Sequence, residues 1–427
     1  MKREYATTFA TAGAVIVSYL LVFRIVASHL GTAGFGEYAL ARRTLSLLAP
    51  LALLGCDLAI ARFVAYVGGD RSVRARSYVP AGLLLIALAV ILLSSLLLTF
   101  QTFFSTLLFG SRRYIPLVAA LPAVLTGTAL HAVVYAYLRG SLRILAANLL
   151  MTLNQVLVPL AVVGLSNFAV PSILLAMGLS WIGISLVFLV SMPMSLTDLG
   201  GRLSELVRYG IPRVPGDFLQ VALFSIPSIL VAHVAGIAVA GMVAFGVAAL
   251  GIVGSAVSPV NVILLPVAAR LVAQNSIAQL RRQVFGTHRL SLAALVAGTI
   301  AVEIFAPTIV RFYLGPQFVP ATGVLRVILI GAVPWGLYVT LRSVVDARHV
   351  SAINARNMFI AVVSFAVAAI ILRAIWPSSM GVVAAFVVSL YILGALTIRQ
   401  AYLIIRQRNE EPPVLVTNAD IRSSHLD

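Results

Sequence analysis

A small set of arginines lies inside long apolar stretches of the sequence, where ionised side chains are costly. An arginine at the centre of a membrane-spanning helix costs about 2.5–3.5 kcal/mol on insertion scales, so such residues are functional candidates by default. A guanidinium fixed in such a place can bind phosphate oxygens in bidentate fashion. The candidates for binding a diphosphate or another anionic group are Arg24, Arg42, Arg43 and Arg326.

The neighbouring pair Arg42 and Arg43 limits this prediction. Adjacent helical residues point about 100° apart, so the two guanidinium groups do not both face one surface squarely. An alternative role for all four arginines is structural, because residues near helix ends extend to the membrane interface or pair with a neighbour such as Glu37. The sequence leaves both roles open.

Three further charged residues, Asp57, Arg62 and Glu303, have either an ion-coupling or a structural role. Carboxylates within spans often relay protons, so Asp57 and Glu303 could bind a coupling proton or sodium ion. Asp57 and Arg62 are five residues apart and could form an intramembrane pair, or Arg62 could anchor the cytoplasmic end of its span. The neutral polar residues inside spans are predicted to be interhelical hydrogen-bond partners; they are His131, Asn154, Gln155, Gln220, His233 and Asn261.

Sequence patterns for catalysis do not occur. We find no paired carboxylates, Ser/His/Asp set, phosphate-binding glycine loop or His-rich metal spacing, and only 13 acidic residues in total. The prediction is a protein without catalytic residues, cofactor or metal. The single cysteine, Cys56, excludes a disulfide within the chain.

The elements that hold these residues are transmembrane helices. Hydrophobic residues make up 61% of the chain and charged residues 10%, which excludes a water-soluble fold. A spanning helix needs about 20 apolar residues, and the sequence predicts twelve such helices in an all-α, polytopic membrane protein. Their predicted positions are 7–29, 38–67, 78–107, 114–138, 144–164, 170–194, 215–234, 239–270, 287–312, 322–343, 354–374 and 380–405. Prolines within them, including Pro159 and Pro334, bend helices and free backbone groups.

The net charge of +17 follows the topology of the chain. Basic residues concentrate in alternate loops, which by the positive-inside rule places both termini in the cytoplasm and the protein in the cytoplasmic membrane. Nucleic acid is not an expected partner, because no basic patch is interleaved with aromatic residues on a soluble domain.

A weak internal repeat at an offset of about 205 residues divides the chain into two halves. Gly31 and Gly36 after the first span correspond to Gly236 and Gly241 in the second half, and Leu108–Gly110 echoes Tyr313–Gly315. We therefore predict two pseudo-symmetric six-helix bundles around a central cleft, related by an axis along the membrane normal. The predicted boundaries are 1–196 and 214–408 for the bundles, 197–213 for an amphipathic interfacial linker and 409–427 for a disordered cytoplasmic tail.

Three short motifs resemble the Wzx-type polysaccharide flippases, a family within the superfamily of multidrug, oligosaccharidyl-lipid and polysaccharide exporters. The motifs run from Leu30 through Gly36 to Arg42, from Tyr209 to Pro212 and from Tyr313 to Ala321. They occur in the expected order along the two six-helix halves. The chain departs from the family pattern in having a single lysine and few acidic residues in its second half. This departure counts against coupling to an ion more than it counts against an anionic substrate.

The resemblance implies a function in polysaccharide biosynthesis: a polyprenyl-diphosphate-linked oligosaccharide is flipped across the membrane by alternating access. Arg24, Arg42 and Arg43 match the cationic cavity residues of that family, and the expected partners are this lipid-linked substrate, membrane lipids and glycosyltransferases or a polymerase of the same pathway. A multidrug-type antiporter of the same fold, which should have more carboxylate in its cleft, is one alternative. A membrane-embedded glycan polymerase or ligase is another, disfavoured because no long outer loop is present; intramembrane arginines argue against a scaffold protein.

Overall fold

The computed structural model of the chain describes residues 2–69, 72–165, 169–274, 276–348 and 353–406. Within these ranges the chain is almost entirely helical and contains no strand, which confirms the all-α fold class. The predicted tail at 409–427 and the side chains of Asn261, Arg71 and Arg348 lie outside the described residues. The helices are Lys2–Leu53, Cys56–Tyr66, Val73–Thr99, Gln101–Phe109, Ile115–Gly140, Ile144–Thr152, Val158–Leu165, Val170–Val190, Leu199–Gly210, Val214–Ala273, Ile277–Tyr313, Ala321–Ile330, Ala332–Arg348, Ile353–Ile375 and Ser379–Arg406.

Two of these helices are too long for one crossing, and each is broken at a single glycine. Lys2–Leu53 breaks at Gly31, where φ is 64° and ψ is −165°. Val214–Ala273 breaks at Gly236, where φ is 82° and ψ is 173°. Glycine adopts such angles readily and other residues rarely do, so each long helix divides into two spans at the position that the repeat indicates.

This division accounts for the number of spans. Among the described residues, nine helices are long and apolar enough to cross a membrane, and the bent pair Ala321–Ile330 and Ala332–Ala347 passes together as a tenth. When each glycine-broken helix is counted twice, the described residues provide the twelve spans that the sequence predicts. The chain is a multi-pass membrane protein.

Contacts between residues divide the chain into two compact units. The first comprises Met1–Val247, Phe305–Leu325 and Ile371–Val383. The second comprises Ala248–Ile304, Arg326–Ile370 and Ala384–Asp427, of which the described part ends at Arg406. The predicted boundaries at 196 and 214 stay a prediction.

In the first unit the repeated glycines of the two halves meet each other. A Cβ atom added at Gly36 would lie 2.2 Å from the carbonyl oxygen of Ile237, and one added at Gly241 would lie 2.5 Å from Cα of Gly36. Small residues allow this kind of close backbone contact between spans. The repeated glycines Gly36 and Gly241 therefore lie at a helix crossing that has no room for a side chain at either position.

The predicted interfacial linker forms the amphipathic helix Leu199–Gly210. Its Asp198 cap accepts a hydrogen bond from the Gly201 amide at 3.3 Å. The sequence of this helix places Arg202 on a polar face, opposite an apolar stripe of Leu199, Leu203, Leu206 and Val207. In the structure Arg202 is buried instead. The correction has an electrostatic reason: the Arg202 guanidinium pairs with Asp198 at 2.5 Å and with Glu205 at 2.6 Å and donates to the Tyr78 hydroxyl at 3.1 Å.

Several spans contain a carbonyl that a proline four residues later leaves without its helical partner. Proline has no N–H, so the carbonyl four residues before it is free to accept from elsewhere. In both units a donor from another part of the chain uses such a carbonyl, at 3.0–3.4 Å. The pairs are Ser195 N with Arg76 O before Pro80, Ser18 Oγ with Gln155 O before Pro159, Arg326 Nη2 with Glu303 O before Pro307, and Tyr391 Oη with Ile330 O before Pro334.

Candidate functional site

A cavity of about 170 Å³ opens within the first unit, and Arg42 is the charged residue among those that line it. Its wall comes from four spans of the N-terminal half. Neutral polar and aromatic side chains share the wall with aliphatic ones; the remaining lining residues are Leu45, Ser46, Ala49, Val124, Thr128, Gln155, Leu174, Met177 and Trp181. The cavity therefore combines one cation with neutral hydrogen-bonding groups.

Arg42 lies deep within its span. At 1.5 Å per residue it is about 16 Å along the helix from the break at Gly31, close to half the roughly 30 Å of a bilayer core. Its guanidinium lies 4.8 Å from the centre of the Tyr19 ring. Cation–π contact favours the charged form in an apolar site. A guanidinium has five N–H donors, so this contact leaves donors for a ligand in the cavity.

The opposite wall of the cavity is fixed by close packing between the helices Ile115–Gly140 and Val170–Val190. A Cβ atom added at Gly127 would lie 2.8 Å from the Gly178 carbonyl oxygen and 2.9 Å from the Trp181 Cβ. The absence of a side chain at Gly127 therefore allows the helix that contains Gly178 and Trp181 to approach closely. Trp181 is only 6% exposed, and its position beside Arg42 was missed in the sequence. One signal was present: tryptophan favours the ends of spans, and Trp181 is at the centre of its helix.

The first unit also contains a buried polar cluster around Asn154, the residue before the cavity residue Gln155. Asn154 Nδ2 lies 3.0 Å from His131 Nδ1 and donates to Ser185 Oγ at 3.1 Å, which links three spans. Asn154 and Gln155 belong to the π-helical turn Leu153–Leu157, a distortion that is frequent at functional sites. The interhelical role predicted for His131 and Asn154 is confirmed. His233 also bonds across helices, at 2.8 Å to the Leu107 carbonyl.

The structure gives the other predicted arginines main-chain partners. Arg24 donates from Nη1 to the Phe312 carbonyl at 2.7 Å and lies 5.4 Å from the centre of that ring. Arg43 donates from Nη2 to the Ala244 carbonyl at 3.0 Å. The adjacent Arg42 and Arg43 thus face different surroundings, as the 100° step predicts. Both Arg24 and Arg43 fasten one helix of the first unit to another.

Arg326 and Glu303 form a pair in the second unit. Arg326 donates from Nε and Nη2 to the Glu303 carbonyl at 3.2 and 3.0 Å. Its Nε also lies 3.7 Å from the Glu303 carboxylate. The structure therefore brings together one predicted anion ligand and one predicted ion-coupling residue, and each offsets the charge of the other.

Asp57 and Arg62 lie on the helix Cys56–Tyr66, and both are exposed. The Arg62 guanidinium lies 4.7 Å from the Tyr209 ring, which Arg213 contacts at 4.2 Å. Within the described part of the chain Asp57 forms no ion pair, so the pairing that five-residue spacing allowed is replaced by a cation–π contact. Tyr209 belongs to the second of the recognised motifs, and that contact was not foreseen.

The whole structure is similar to solved transporters. A multidrug resistance MATE family transporter of the MOP superfamily, in an inward-facing conformation, matches with a TM-score of 0.76 at 14% sequence identity, covering 92% of this chain and 94% of the other. The lipid II flippase MurJ, in an inward closed conformation, matches with a TM-score of 0.72 at 12% identity over 94% and 90% of the two chains. The chain shares the fold of these solved proteins.

A eukaryotic MATE transporter, AtDTX14, shows the same fold with a TM-score of 0.65 at 16% identity, over 96% of this chain and 97% of its own. No family model matches the sequence, and no curated protein matches it. The fold is therefore established by structure alone. Because solved proteins with this fold include both multidrug transporters and a lipid flippase, the likeness by itself does not assign a substrate.

Proposed function

We propose that the protein flips a polyprenyl-diphosphate-linked oligosaccharide across the cytoplasmic membrane by alternating access. The observation that supports this most directly is Arg42, a cation about halfway along its span, in a cavity whose described lining residues include no carboxylate. A diphosphate offers the paired oxygens that a guanidinium binds best. Its binding energy offsets the cost of keeping the charge inside the membrane.

The same geometry separates Arg42 from the other predicted ligands. Arg24, Arg43 and Arg326 donate to main-chain carbonyls, and we assign these three a structural role. Arg42 retains donors that face the cavity. Of the four predicted anion ligands, we therefore keep Arg42 as a ligand and assign the other three to contacts between helices.

The main competing function is a multidrug-type antiporter for organic cations. A cation inside this cavity would meet the Arg42 guanidinium, and like charges at short range repel. The carboxylate expected of such a transporter is represented in the second unit by Glu303, which Arg326 already offsets. Charge complementarity therefore favours an anionic substrate, and the expected partners are enzymes that build the lipid-linked glycan.

Transport can be tested in proteoliposomes that contain a fluorescent polyprenyl-diphosphate oligosaccharide, with a membrane-impermeant quencher reporting its leaflet. Wild type should exchange the lipid between leaflets, and Arg42→Ala should reduce the rate about tenfold or more, because charge-assisted hydrogen bonds are lost. Arg42→Lys should retain part of the rate, since lysine keeps the charge without the bidentate geometry. Arg112→Ala removes an exposed arginine away from the cavity and serves as the matched control.

Two outcomes would overturn the proposal. Equal rates in wild type and Arg42→Ala would remove the role of Arg42. No movement of the glycolipid by wild type, together with export of cationic dyes, would identify the antiporter instead.

A further inference from the structure

Two arginines from separate parts of the first unit contact the same tyrosine ring. The guanidinium carbon of Arg62 lies 4.7 Å from the centre of the Tyr209 ring, and that of Arg213 lies 4.2 Å from it. Because both distances are measured to one ring, the two guanidinium carbons are no more than about 9 Å apart. Both arginines are exposed. Like charges this close repel, and a cation–π contact at an exposed site is weak, so the arrangement calls for a further partner.

The donor groups of this cluster, which comprises Arg62, Tyr209 and Arg213, are not used by the protein. Among the described residues neither arginine forms a hydrogen bond or an ion pair, and the Tyr209 hydroxyl has no hydrogen-bond partner. Two carboxylates of the neighbouring linker helix segment, Asp198 and Glu205, already pair with other arginines. The cluster therefore offers two cations and a hydroxyl group to an anion from outside the chain.

Close packing of the linker helix holds the cluster in place. The Tyr209 ring meets the Phe63 ring edge-on, with 5.5 Å between the ring centres. The next residue, Gly210, lies against a break between two helices: a Cβ atom added there would lie 2.3 Å from the Leu54 carbonyl oxygen. These contacts fix the end of the linker helix on the helix Cys56–Tyr66. A preorganised site of this kind binds its ligand with a smaller ordering cost.

The surroundings of the cluster are those of a membrane interface. The linker helix Leu199–Gly210 is amphipathic, and such helices lie at the level of the lipid headgroups. Tyr66, one helical turn after Arg62, is 87% exposed, and tyrosine is enriched at the same level of the membrane. The basic loops predict that this side is cytoplasmic. Anionic phospholipids give the cytoplasmic surface of a membrane its negative potential.

A lipid phosphate matches the groups of the cluster, because a guanidinium donates two parallel hydrogen bonds to phosphate oxygens and a tyrosine hydroxyl donates one. We propose that Arg62, Arg213 and Tyr209 bind the phosphate of an anionic phospholipid, such as phosphatidylglycerol, in the cytoplasmic leaflet. The bound phosphate offsets the repulsion between the two guanidinium groups and ties the linker helix to the membrane surface. None of the three residues lines the cavity of Arg42, so this site does not depend on the proposed function.

Lipid binding can be measured with the purified full chain in a neutral detergent. The probe is phosphatidylglycerol with a fluorescent acyl chain, whose anisotropy reports binding, and phosphatidylcholine with the same label is the zwitterionic comparison. Wild type should bind phosphatidylglycerol about tenfold more tightly than phosphatidylcholine. Arg62→Gln and Arg213→Gln should each remove most of this preference, because each variant loses a charge-assisted hydrogen bond to the phosphate.

Arg208→Gln is the matched control. Arg208 is exposed on the same linker helix and makes no cation–π contact with Tyr209 in the described structure. Its substitution lowers the net charge by the same amount as Arg62→Gln and should leave the preference for phosphatidylglycerol unchanged. Tyr209→Phe keeps the ring and removes one donor, so it should weaken binding only about threefold. Together with Arg213→Gln it provides the test if Arg62→Gln does not fold.

Several results would overturn the inference. Equal losses in Arg208→Gln and Arg62→Gln would show that the general positive charge of this side attracts the lipid without a specific site. Inorganic phosphate that competes as well as phosphatidylglycerol would indicate a site for a soluble anion. Displacement of the probe by polyprenyl diphosphate at far lower concentrations than by unlabelled phosphatidylglycerol would assign the cluster to the transported lipid.

The phospholipid site and the proposed function can fail separately. Arg42→Ala should bind phosphatidylglycerol as wild type does, because Arg42 belongs to the cavity and not to the cluster. If the glycolipid is not flipped while phosphatidylglycerol binds as expected, the proposed function is wrong and the phospholipid site remains. If the glycolipid is flipped while phosphatidylglycerol and phosphatidylcholine bind equally, the phospholipid site is wrong and the proposed function remains.

Discussion

The Arg326 guanidinium donates to the main-chain carbonyl of Glu303, from Nε at 3.2 Å and from Nη2 at 3.0 Å. That carbonyl is available because Pro307, four residues later, has no N–H to offer it. Arg24 donates to the Phe312 carbonyl at 2.7 Å, which is free for a different reason: it lies in the last turn of a helix, where carbonyls have no intrahelical partner. An arginine inside a span can therefore be explained by a proline in another helix rather than by a ligand.

This relationship predicts that Arg326 and Pro307 are energetically coupled. Arg326→Ala leaves the Glu303 carbonyl without a partner and should destabilise the protein by about 1–3 kcal/mol. Pro307→Ala restores a main-chain N–H that can donate to the Glu303 carbonyl. In that background Arg326→Ala should therefore lower the free energy of unfolding by about 1 kcal/mol less than it does in wild type. Thermal unfolding of the four proteins in detergent measures the cycle. Strictly additive effects would show that the proline does not create the need for the arginine.

Arg24 and Arg42 should separate into a structural and a functional arginine. Arg24→Ala removes a charge-assisted hydrogen bond to the last turn of a helix and should lower stability by about 1–3 kcal/mol, while transport per folded protein stays near wild type. Arg42→Ala should leave stability almost unchanged and reduce transport. Unfolding midpoints and flipping rates are measured on the same preparations. The reverse pattern, with Arg24→Ala folded and inactive, would return Arg24 to the binding site.

The crossing at Gly36 should not tolerate alanine. A Cβ atom there would lie 2.2 Å from the Ile237 carbonyl oxygen, and forced repacking costs about 1–3 kcal/mol or more. Gly183→Ala is the control, because a Cβ atom at Gly183 has no heavy atom within 4 Å and helical Gly→Ala changes are stabilising by roughly 0.5–1 kcal/mol. Relative to wild type, the unfolding midpoint should fall for Gly36→Ala and rise for Gly183→Ala. A Gly36→Ala protein as stable as wild type would disprove the close crossing.

The linker helix should show a pH dependence from Asp198. The hydrogen bond from Arg202 holds the pKa of the Asp198 carboxyl below its ordinary value. A group whose pKa is lower in the folded protein stabilises it above the unfolded pKa, near 3.9, and this contribution is lost as the pH falls through the folded value. Asp198→Asn keeps the helix cap without the charge.

The difference in unfolding temperature between wild type and Asp198→Asn should therefore be present at neutral pH and disappear in acid. Comparing the two proteins cancels the titration of other carboxyl groups. A difference that is constant between neutral pH and about pH 3 would show that the Asp198 charge does not stabilise the linker.

Much of the fold could be predicted from the sequence because it depends on local properties. Span positions follow from about 20 consecutive apolar residues, and the repeated glycines located both helix breaks, at Gly31 and Gly236. The buried Arg202 could not be predicted, because the partners that remove it from the polar face include Tyr78 on a helix more than 100 residues earlier.

For the candidate site, the sequence determined which residues were costly in the membrane, and the tertiary structure decided how that cost is offset. Arg24, Arg42, Arg43 and Arg326 share one residue type and similar apolar surroundings. Their partners are distant in sequence: main-chain carbonyls for three of them and a cavity with Trp181 for Arg42. Hydrophobicity along the chain indicates how deep in the membrane an arginine lies. The packing of several helices decides which way its guanidinium points and therefore what it binds.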